Sequence, residues 1–103
     1  MAKRGERWVV KAGSSLIAGD DKGLDRSFIK ALAYQINHLL QKEIEIIVVS
    51  SGAIAKGIFE LDMLERPSNL ALLQASAAVG QLGLINSYQE EFNKYNIKTA
   101  QVL

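Results

Sequence analysis

Apolar and polar positions divide the first half of the chain into a strand, a helix and a second strand. Residues 8–11 begin with a Trp-Val-Val run that leads into a stretch of glycine and serine, as a buried strand does. After Asp25, a suitable N-cap residue, apolar side chains recur every three or four positions and predict a helix. Residues 45–50 are then mostly β-branched and apolar on both faces, as in a central parallel strand. This order predicts a βαβ unit.

The second half predicts two helices and a third strand. A helical pattern over residues 54–61 ends before Pro67, because proline disfavours helix at the residue that precedes it. Ser68 is placed to cap the next helix, which we expect to run from about residue 69 towards residue 95. Residues 97–103 alternate and become apolar, which predicts a third strand.

Several single residues carry further expectations. Gly80 and Gly83 interrupt the last helix and indicate either a kink or a close helix contact. Asn96 suits the end of that helix.

His38 is the only histidine and belongs to an amphipathic helix without a partner motif, so we expect a surface position. Three aromatic residues at helical spacing predict core packing: Tyr88, Phe92 and Tyr95.

The length and element order indicate one α/β domain. A chain of 103 residues has room for one domain at most. Strands that alternate with helices are typical of an α/β protein with a mainly parallel sheet. The last predicted strand stops at Leu103 with no element after it. We therefore expect residues 1–103 to be the N-terminal portion of a single domain, truncated at the C-terminus.

The composition excludes several classes of function. Hydrophobic residues make up 49% of the chain, charged residues make up 22%, and the net charge is +1. Basic and acidic residues are interleaved, so the chain lacks the basic face of a nucleic-acid-binding module. The absence of cysteine excludes disulfides, thiolate metal sites and a cysteine nucleophile. No apolar stretch approaches the roughly 20 residues that cross a bilayer, and no signal peptide is visible, so we expect a cytoplasmic protein.

Two loops leave the carboxyl ends of predicted strands, where ligands gather in open α/β sheets. In residues 11–15, the ammonium of Lys11 stands beside a glycine with exposed backbone N–H groups, which suits a phosphate. In residues 50–53, serine hydroxyls stand at a helix N-terminus, which suits a carboxylate or a transferring phosphoryl group. Each loop by itself also fits an ordinary strand-to-helix turn. The Walker and G-x-G-x-x-G patterns are absent, which excludes a P-loop enzyme and a typical dinucleotide binder.

Four segments resemble the amino-acid kinase family. Residues 8–15 (WVVKAGSS) are similar to the V-V-K-x-G-[ST]-S opening of that family. Residues 47–55 are similar to the V-[ST]-S-G-A-[IV]-A segment of its glutamate 5-kinase branch. Residues 77–81 resemble the A-A-V-G-Q helix of the same branch, and residues 100–103 resemble its third strand. The aspartate kinase and acetylglutamate kinase branches, with different loops, fit less well.

The resemblance implies a three-layer α/β sandwich with a mainly parallel sheet, of which this chain would be the N-terminal part. It also implies roles for residues of both loops. The implied ATP phosphate-binding residues are Lys11, Gly13 and Ser14, with Lys11 also the catalytic residue. The implied glutamate-binding residues are Ser51, Gly52 and Ala53. No residue of this chain is implied as a metal ligand.

The implied reaction is the ATP-dependent phosphorylation of the L-glutamate side-chain carboxylate to glutamyl 5-phosphate, the first step of proline biosynthesis. ATP and Mg²⁺ would take part, and a homo-oligomer is expected, with no nucleic-acid or membrane partner. Two alternatives stay open: the kinase half of a bifunctional pyrroline-carboxylate synthase, and a non-catalytic fragment that self-associates. We expect the isolated chain to be inactive, because the family's nucleotide-base pocket would lie beyond it.

Overall fold

The computed structural model describes residues 5–13 and 25–101. Their helices and strands follow one another in the predicted order. We number them β1 (Arg7–Ala12), α1 (Arg26–Gln41), β2 (Glu45–Ser50), α2 (Ala53–Glu60) and α3 (Leu70–Asn93).

Strands β1 and β2 form a parallel pair that runs in register from Arg7 opposite Glu45 to Ala12 opposite Ser50. The predicted βαβ unit and its parallel strands are therefore confirmed, as is the α/β class. One face of this pair packs against α1 and α3 around a shared hydrophobic core. The buried members of that core are Ala12, Ile29, Ala33, Ile36, Leu84, Tyr88 and Phe92.

The opposite face of the sheet is exposed in the described part of the chain. Its apolar side chains are Val9, Ile47 and Val49, which are between 48% and 65% exposed. Side chains alternate between the two faces of a strand, so every second residue of β1 and β2 lies on this face. The described residues thus form a sheet with helices on one side and an uncovered apolar surface on the other.

Helix α1 begins where its sequence predicts. The Asp25 side chain accepts a 3.1 Å hydrogen bond from the backbone N–H of Phe28, which satisfies one of the N–H groups that a helix start leaves unpaired. The buried residues Ile29, Ala33 and Ile36 are four and three positions apart and lie on one face. His38 is exposed and stands edge-on to Tyr34, with 4.8 Å between ring centroids, so its predicted surface position is confirmed.

Helix α3 begins one residue later than expected, and a different residue caps it. The Asn69 side chain accepts hydrogen bonds from the N–H groups of Ala71 (2.7 Å) and Leu72 (3.3 Å). The predicted cap, Ser68, is therefore wrong. Serine and asparagine are almost equally good N-caps, so neighbouring candidates cannot be separated by residue type alone.

Helices α2 and α3 approach each other closely at two glycines. Gly57 of α2 lies against the backbone carbonyl of Ser76, and Gly80 of α3 lies against the backbone of Ala53 and Gly57. A Cβ atom at either glycine would overlap these backbone atoms. The close helix contact predicted at Gly80 is confirmed. Gly83 is less restricted, because a Cβ atom there would meet only the flexible side chain of Lys56.

All three helices are followed by a residue other than glycine in the left-handed conformation: Glu43, Asp62 and Asn96, with φ of 63°, 55° and 59°. After α3 the Ile97 N–H donates to the Phe92 carbonyl at 3.1 Å, which closes the last turn. The helix itself ends at Asn93, and Asn96 is the left-handed residue of the turn that follows it. The aromatic residues before it pack as predicted: Tyr88 and Phe92 are buried, and Tyr95 is partly buried against the same core.

The predicted third strand is wrong for residues 97–101, which adopt no regular structure, whereas residues 102–103 lie outside the described part. A groove of about 630 Å³ is lined both by β2 and by residues 97–101. Alternating apolar residues favour a strand, but a strand exists only where its backbone pairs with a neighbour. Here the groove separates this segment from the edge of β2.

Ion pairs also connect helix α3 to helix α1. The carboxylate of Glu91, 4% exposed as a residue, accepts hydrogen bonds from Arg26 at 3.0 Å and from Lys94 at 2.9 Å. These partners lower the pKa of Glu91: the Lys94 hydrogen bond contributes most, and Arg26 adds to it against the opposing effect of burial. Arg26 also pairs with the exposed Glu90 at 2.9 Å.

By length and composition alone, α3 is also the one helix in the described residues that is apolar enough to cross a membrane. This is weak evidence, because core helices of folded proteins pass the same test. The expectation that no apolar stretch approaches this length is therefore wrong for α3, which nevertheless contacts α2 at Gly80 and pairs with α1 through Glu91.

Candidate functional site

The two predicted ligand loops leave from the same edge of the sheet. Ala12 and Ser50 are opposite each other at the ends of β1 and β2. Beyond them, the Ser51 N–H donates a 3.0 Å hydrogen bond to the Ala12 carbonyl, which continues the ladder by one step. Because the strands are parallel, both carboxyl ends meet at this edge, the usual ligand position in an open α/β sheet.

The first loop presents an ammonium group without a protein partner. Lys11 is exposed and lies opposite Val49, and within residues 5–13 and 25–101 its ammonium group makes no hydrogen bond or ion pair. A Cβ atom at Gly13 would meet no atom of the described residues within 4 Å. Ser14, the third predicted phosphate-binding residue, lies outside the described residues. A cation beside open space is suited to a phosphate.

The second loop opens directly into helix α2. Gly52 precedes this helix with φ of 115° and ψ of −5°, a left-handed conformation that glycine adopts without steric penalty. No side chain among the described residues caps the first turn of α2. Its first N–H groups, beginning near Ala53, carry the partial positive charge of a helix N-terminus. Together with the exposed Ser51, they are suited to a carboxylate or a phosphoryl group.

A buried tyrosine supports the second loop, and the sequence interpretation missed this contact. The hydroxyl of Tyr88, on α3, lies 2.7 Å from Oγ of Ser50. Oγ of Ser50 in turn lies 3.0 Å from the Ser51 carbonyl oxygen. Burial raises the pKa of Tyr88, and the hydrogen bond between Tyr88 and Ser50 opposes this only in part. Tyr88 therefore keeps its proton at neutral pH. The only sign of this contact in the sequence was the serine directly before Ser51, and nothing in the sequence indicated which residue it would contact.

The charges around the site favour an anion over a cation. No group of three or more His, Asp or Glu side chains within residues 5–13 and 25–101 could hold a metal ion. The groups that the described loops offer are an ammonium, a hydroxyl and backbone N–H groups. Five of the six predicted site residues lie in the described part of the chain, at one edge of the sheet: Lys11, Gly13, Ser51, Gly52 and Ala53.

The described residues form a parallel α/β unit whose two predicted ligand loops leave one edge of the sheet, which places the chain in the class of α/β proteins with a parallel sheet. Comparison with known families is more specific. The model of the amino acid kinase family matches residues 6–103. The chain belongs to the amino acid kinase family.

The chain is also similar to curated proteins named glutamate 5-kinase. It is 47% identical to the one from Saccharophagus degradans over 103 residues, which is 100% of this chain and 28% of that protein. It is 50% identical to the one from Cupriavidus taiwanensis over 98 residues, which is 95% of this chain and 26% of that protein. It is 48% identical to the one from Nitrosococcus oceani over 101 residues, 98% of this chain and 27% of that protein. The chain thus spans about a quarter of the length of these relatives.

Proposed function

We propose that this chain supplies the N-terminal part of an enzyme that transfers the γ-phosphoryl group of ATP to the side-chain carboxylate of L-glutamate. The observation that carries this proposal is the meeting of two anion-binding loops at one sheet edge, joined by the hydrogen bond from Ser51 to Ala12. Two anionic substrates must approach each other in this reaction. The names of the similar proteins support glutamate as the acceptor.

In the proposed reaction, a carboxylate oxygen of glutamate attacks the γ-phosphorus of ATP. The bond from that phosphorus to the β,γ-bridging oxygen breaks, and ADP leaves with the bonding electrons. The products are glutamyl 5-phosphate and ADP. Such transfers need little covalent assistance; they need alignment of the two substrates and neutralisation of the charge on the phosphoryl oxygens.

The first loop would neutralise that charge. Lys11, whose ammonium makes no ion pair within the described residues, would contact the phosphates and the transferring γ-phosphoryl group. Gly13 would let a phosphate approach the backbone closely, because the space beside it is open. Ser14 completes the proposed phosphate-binding set.

The second loop would hold glutamate. The Ser51 hydroxyl would donate to the substrate, and the backbone N–H groups of Gly52 and Ala53 would hold carboxylate or phosphoryl oxygens at the start of α2. Mg²⁺ would arrive with ATP and neutralise phosphate charge, since the described residues offer it no carboxylate cluster. This function would belong to proline biosynthesis in the cytoplasm, in an enzyme that assembles as a homo-oligomer.

The test is glutamate-dependent formation of glutamyl phosphate by the full-length protein that contains this chain, with hydroxylamine as the trap. Lys11→Ala should lower kcat by about 100-fold or more, the range found when one donor to a transition-state charge is removed. Ser51→Ala should raise the KM for glutamate by about tenfold and leave that for ATP unchanged, as expected for one lost hydrogen bond to a charged group.

Lys30→Ala is the matched control for Lys11, because Lys30 is an exposed lysine on α1, outside both loops. It should leave kcat unchanged. A Lys11→Ala enzyme with wild-type turnover would contradict the proposed role of Lys11. A rise in the KM for ATP alone in Ser51→Ala would show that the loops are assigned in the wrong order.

A further inference from the structure

The direction of the hydrogen bonds between Tyr88, Ser50 and Ser51 follows from their chemistry. A carbonyl oxygen only accepts, so the Ser50 hydroxyl donates to the Ser51 carbonyl at 3.0 Å. A hydroxyl carries one hydrogen, so Ser50 has none left for Tyr88. Tyr88 therefore donates to Oγ of Ser50 across 2.7 Å. The result is a relay from the core helix α3 to the backbone of the second loop.

Tyr88 is a rigid starting point for this relay. It is 7% exposed and belongs to the hydrophobic core. Its ring also stacks on that of Phe92, with 6.3 Å between centroids. Burial raises its pKa, so that the hydroxyl stays a donor over the whole physiological pH range. A donor fixed in this way restrains the group to which it donates.

The restrained group is the peptide between Ser51 and Gly52. In a planar trans peptide, the C=O and the following N–H point in opposite directions. A Ser51 carbonyl held on the Ser50 side therefore fixes the direction of the Gly52 N–H. The Ser51 N–H is already held by the Ala12 carbonyl at 3.0 Å. Glycine allows both signs of φ, so Gly52 restricts backbone rotation less than any other residue type would. The orientation of the Ser51–Gly52 peptide therefore depends on hydrogen bonds from other residues.

We propose that Tyr88, acting through Ser50, is a positioning residue that orients the Gly52 N–H for glutamate binding. The inference rests on the proposed function, because it deepens the role of the second loop. Tyr88 touches neither substrate in this proposal. It acts by selecting one of the two orientations of the Ser51–Gly52 peptide before glutamate arrives.

The test uses Tyr88→Phe in the full-length protein, which keeps the ring in the core and removes only the donor. The KM for glutamate should rise by about threefold to tenfold, the effect of one neutral hydrogen bond, while the KM for ATP stays unchanged. Tyr95→Phe is the matched control, since Tyr95 packs against the same core and lies outside the relay. It should change neither KM.

Ser50→Ala tests the relay itself. Because the two hydrogen bonds act in series, Ser50→Ala should raise the KM for glutamate as much as Tyr88→Phe does, and the double variant should be no worse than either single variant. Multiplied effects in the double variant would overturn the relay.

A merely structural role for the Tyr88 hydroxyl would lower the melting temperature of Tyr88→Phe and leave the KM for glutamate unchanged. That result would overturn the proposal, as would an equal rise of both KM values. Failure of the proposed function would give a different experimental result. In that case, the unsubstituted full-length protein would form no glutamyl phosphate, or Lys11→Ala would retain full turnover.

Discussion

The backbone N–H of Ser51 donates a 3.0 Å hydrogen bond to the carbonyl of Ala12, one step beyond the last residue pair of β1 and β2. This bond fixes the distance between the two loops at the sheet edge. Substrates held by the two loops would therefore meet at one geometry, which phosphoryl transfer requires. Because each loop is proposed to hold a different substrate, substitutions in the first loop should affect ATP and substitutions in the second loop should affect glutamate.

Gly13→Ala should weaken ATP binding without disturbing the fold. The added methyl group meets no atom of the described residues within 4 Å, so the unfolding free energy should change by less than about 0.5 kcal/mol. The methyl would occupy the space assigned to a phosphate and raise the KM for ATP by about tenfold, the usual effect of a misfit of one methylene. Steady-state kinetics and thermal unfolding of the full-length protein measure both quantities. An unchanged KM for ATP would exclude close phosphate approach at this glycine.

Gly57→Ala should destabilise the fold far more than Gly83→Ala. The methyl at Gly57 would overlap the Ser76 backbone, so α2 and α3 must separate, at a cost of about 1–3 kcal/mol or more. At Gly83 the methyl meets only the movable Lys56 side chain, and alanine favours a helix by about 1 kcal/mol over glycine. Urea unfolding of the two variants provides the comparison. Equal destabilisation would argue against the close contact of these helices.

Glu91→Gln should lower the unfolding free energy at neutral pH. It should also make that free energy less dependent on pH in the acidic range. The pKa of Glu91 in the folded state lies below its ordinary value of 4.5. Its stabilising effect is therefore complete above about pH 4.5 and is lost as the pH falls through the folded-state pKa. At pH 7 we expect a loss of about 1–3 kcal/mol, since charged hydrogen bonds to Arg26 and Lys94 are weakened.

The neighbouring Glu90→Gln is the control for this prediction. Glu90 also pairs with Arg26, but its side chain is 66% exposed, so its loss should change stability by less than about 1 kcal/mol. Unfolding curves recorded from pH 7 to acid give the comparison. A Glu91→Gln variant as acid-sensitive as the unsubstituted protein would show that another carboxylate controls the effect.

The isolated chain of 103 residues should self-associate and form no glutamyl phosphate. Its sheet presents the apolar side chains of Val9, Ile47 and Val49, and each strand has a partner on one side only within the described residues. Light scattering should report species larger than a monomer. Ile47→Lys, which places a charge in this face, should shift them towards the monomer. A compact monomer with a cooperative thermal transition would contradict this prediction.

Much of the candidate site could be predicted from the sequence because its residues are local. Lys11 lies near the end of β1 and Ser51 directly follows β2, and a parallel pair necessarily brings the two strand ends to one edge. The support from Tyr88 could not be predicted in this way. Its partner Ser50 is 38 positions away along the chain, and aromatic residues at helical spacing predict only core packing.

The sequence by itself determined the order of β1, α1, β2, α2 and α3, the Asp25 cap, the left-handed turn at Asn96 and the place of the two predicted ligand loops at the strand ends. These features depend on residues within a few positions of one another, where periodicity and capping act. Tertiary structure decided what depends on distant partners. Residues 97–101 form no strand because no strand of the described residues pairs with them, and Glu91 is held by an arginine 65 positions earlier. Such contacts exist only once the helices have packed, so no local pattern encodes them.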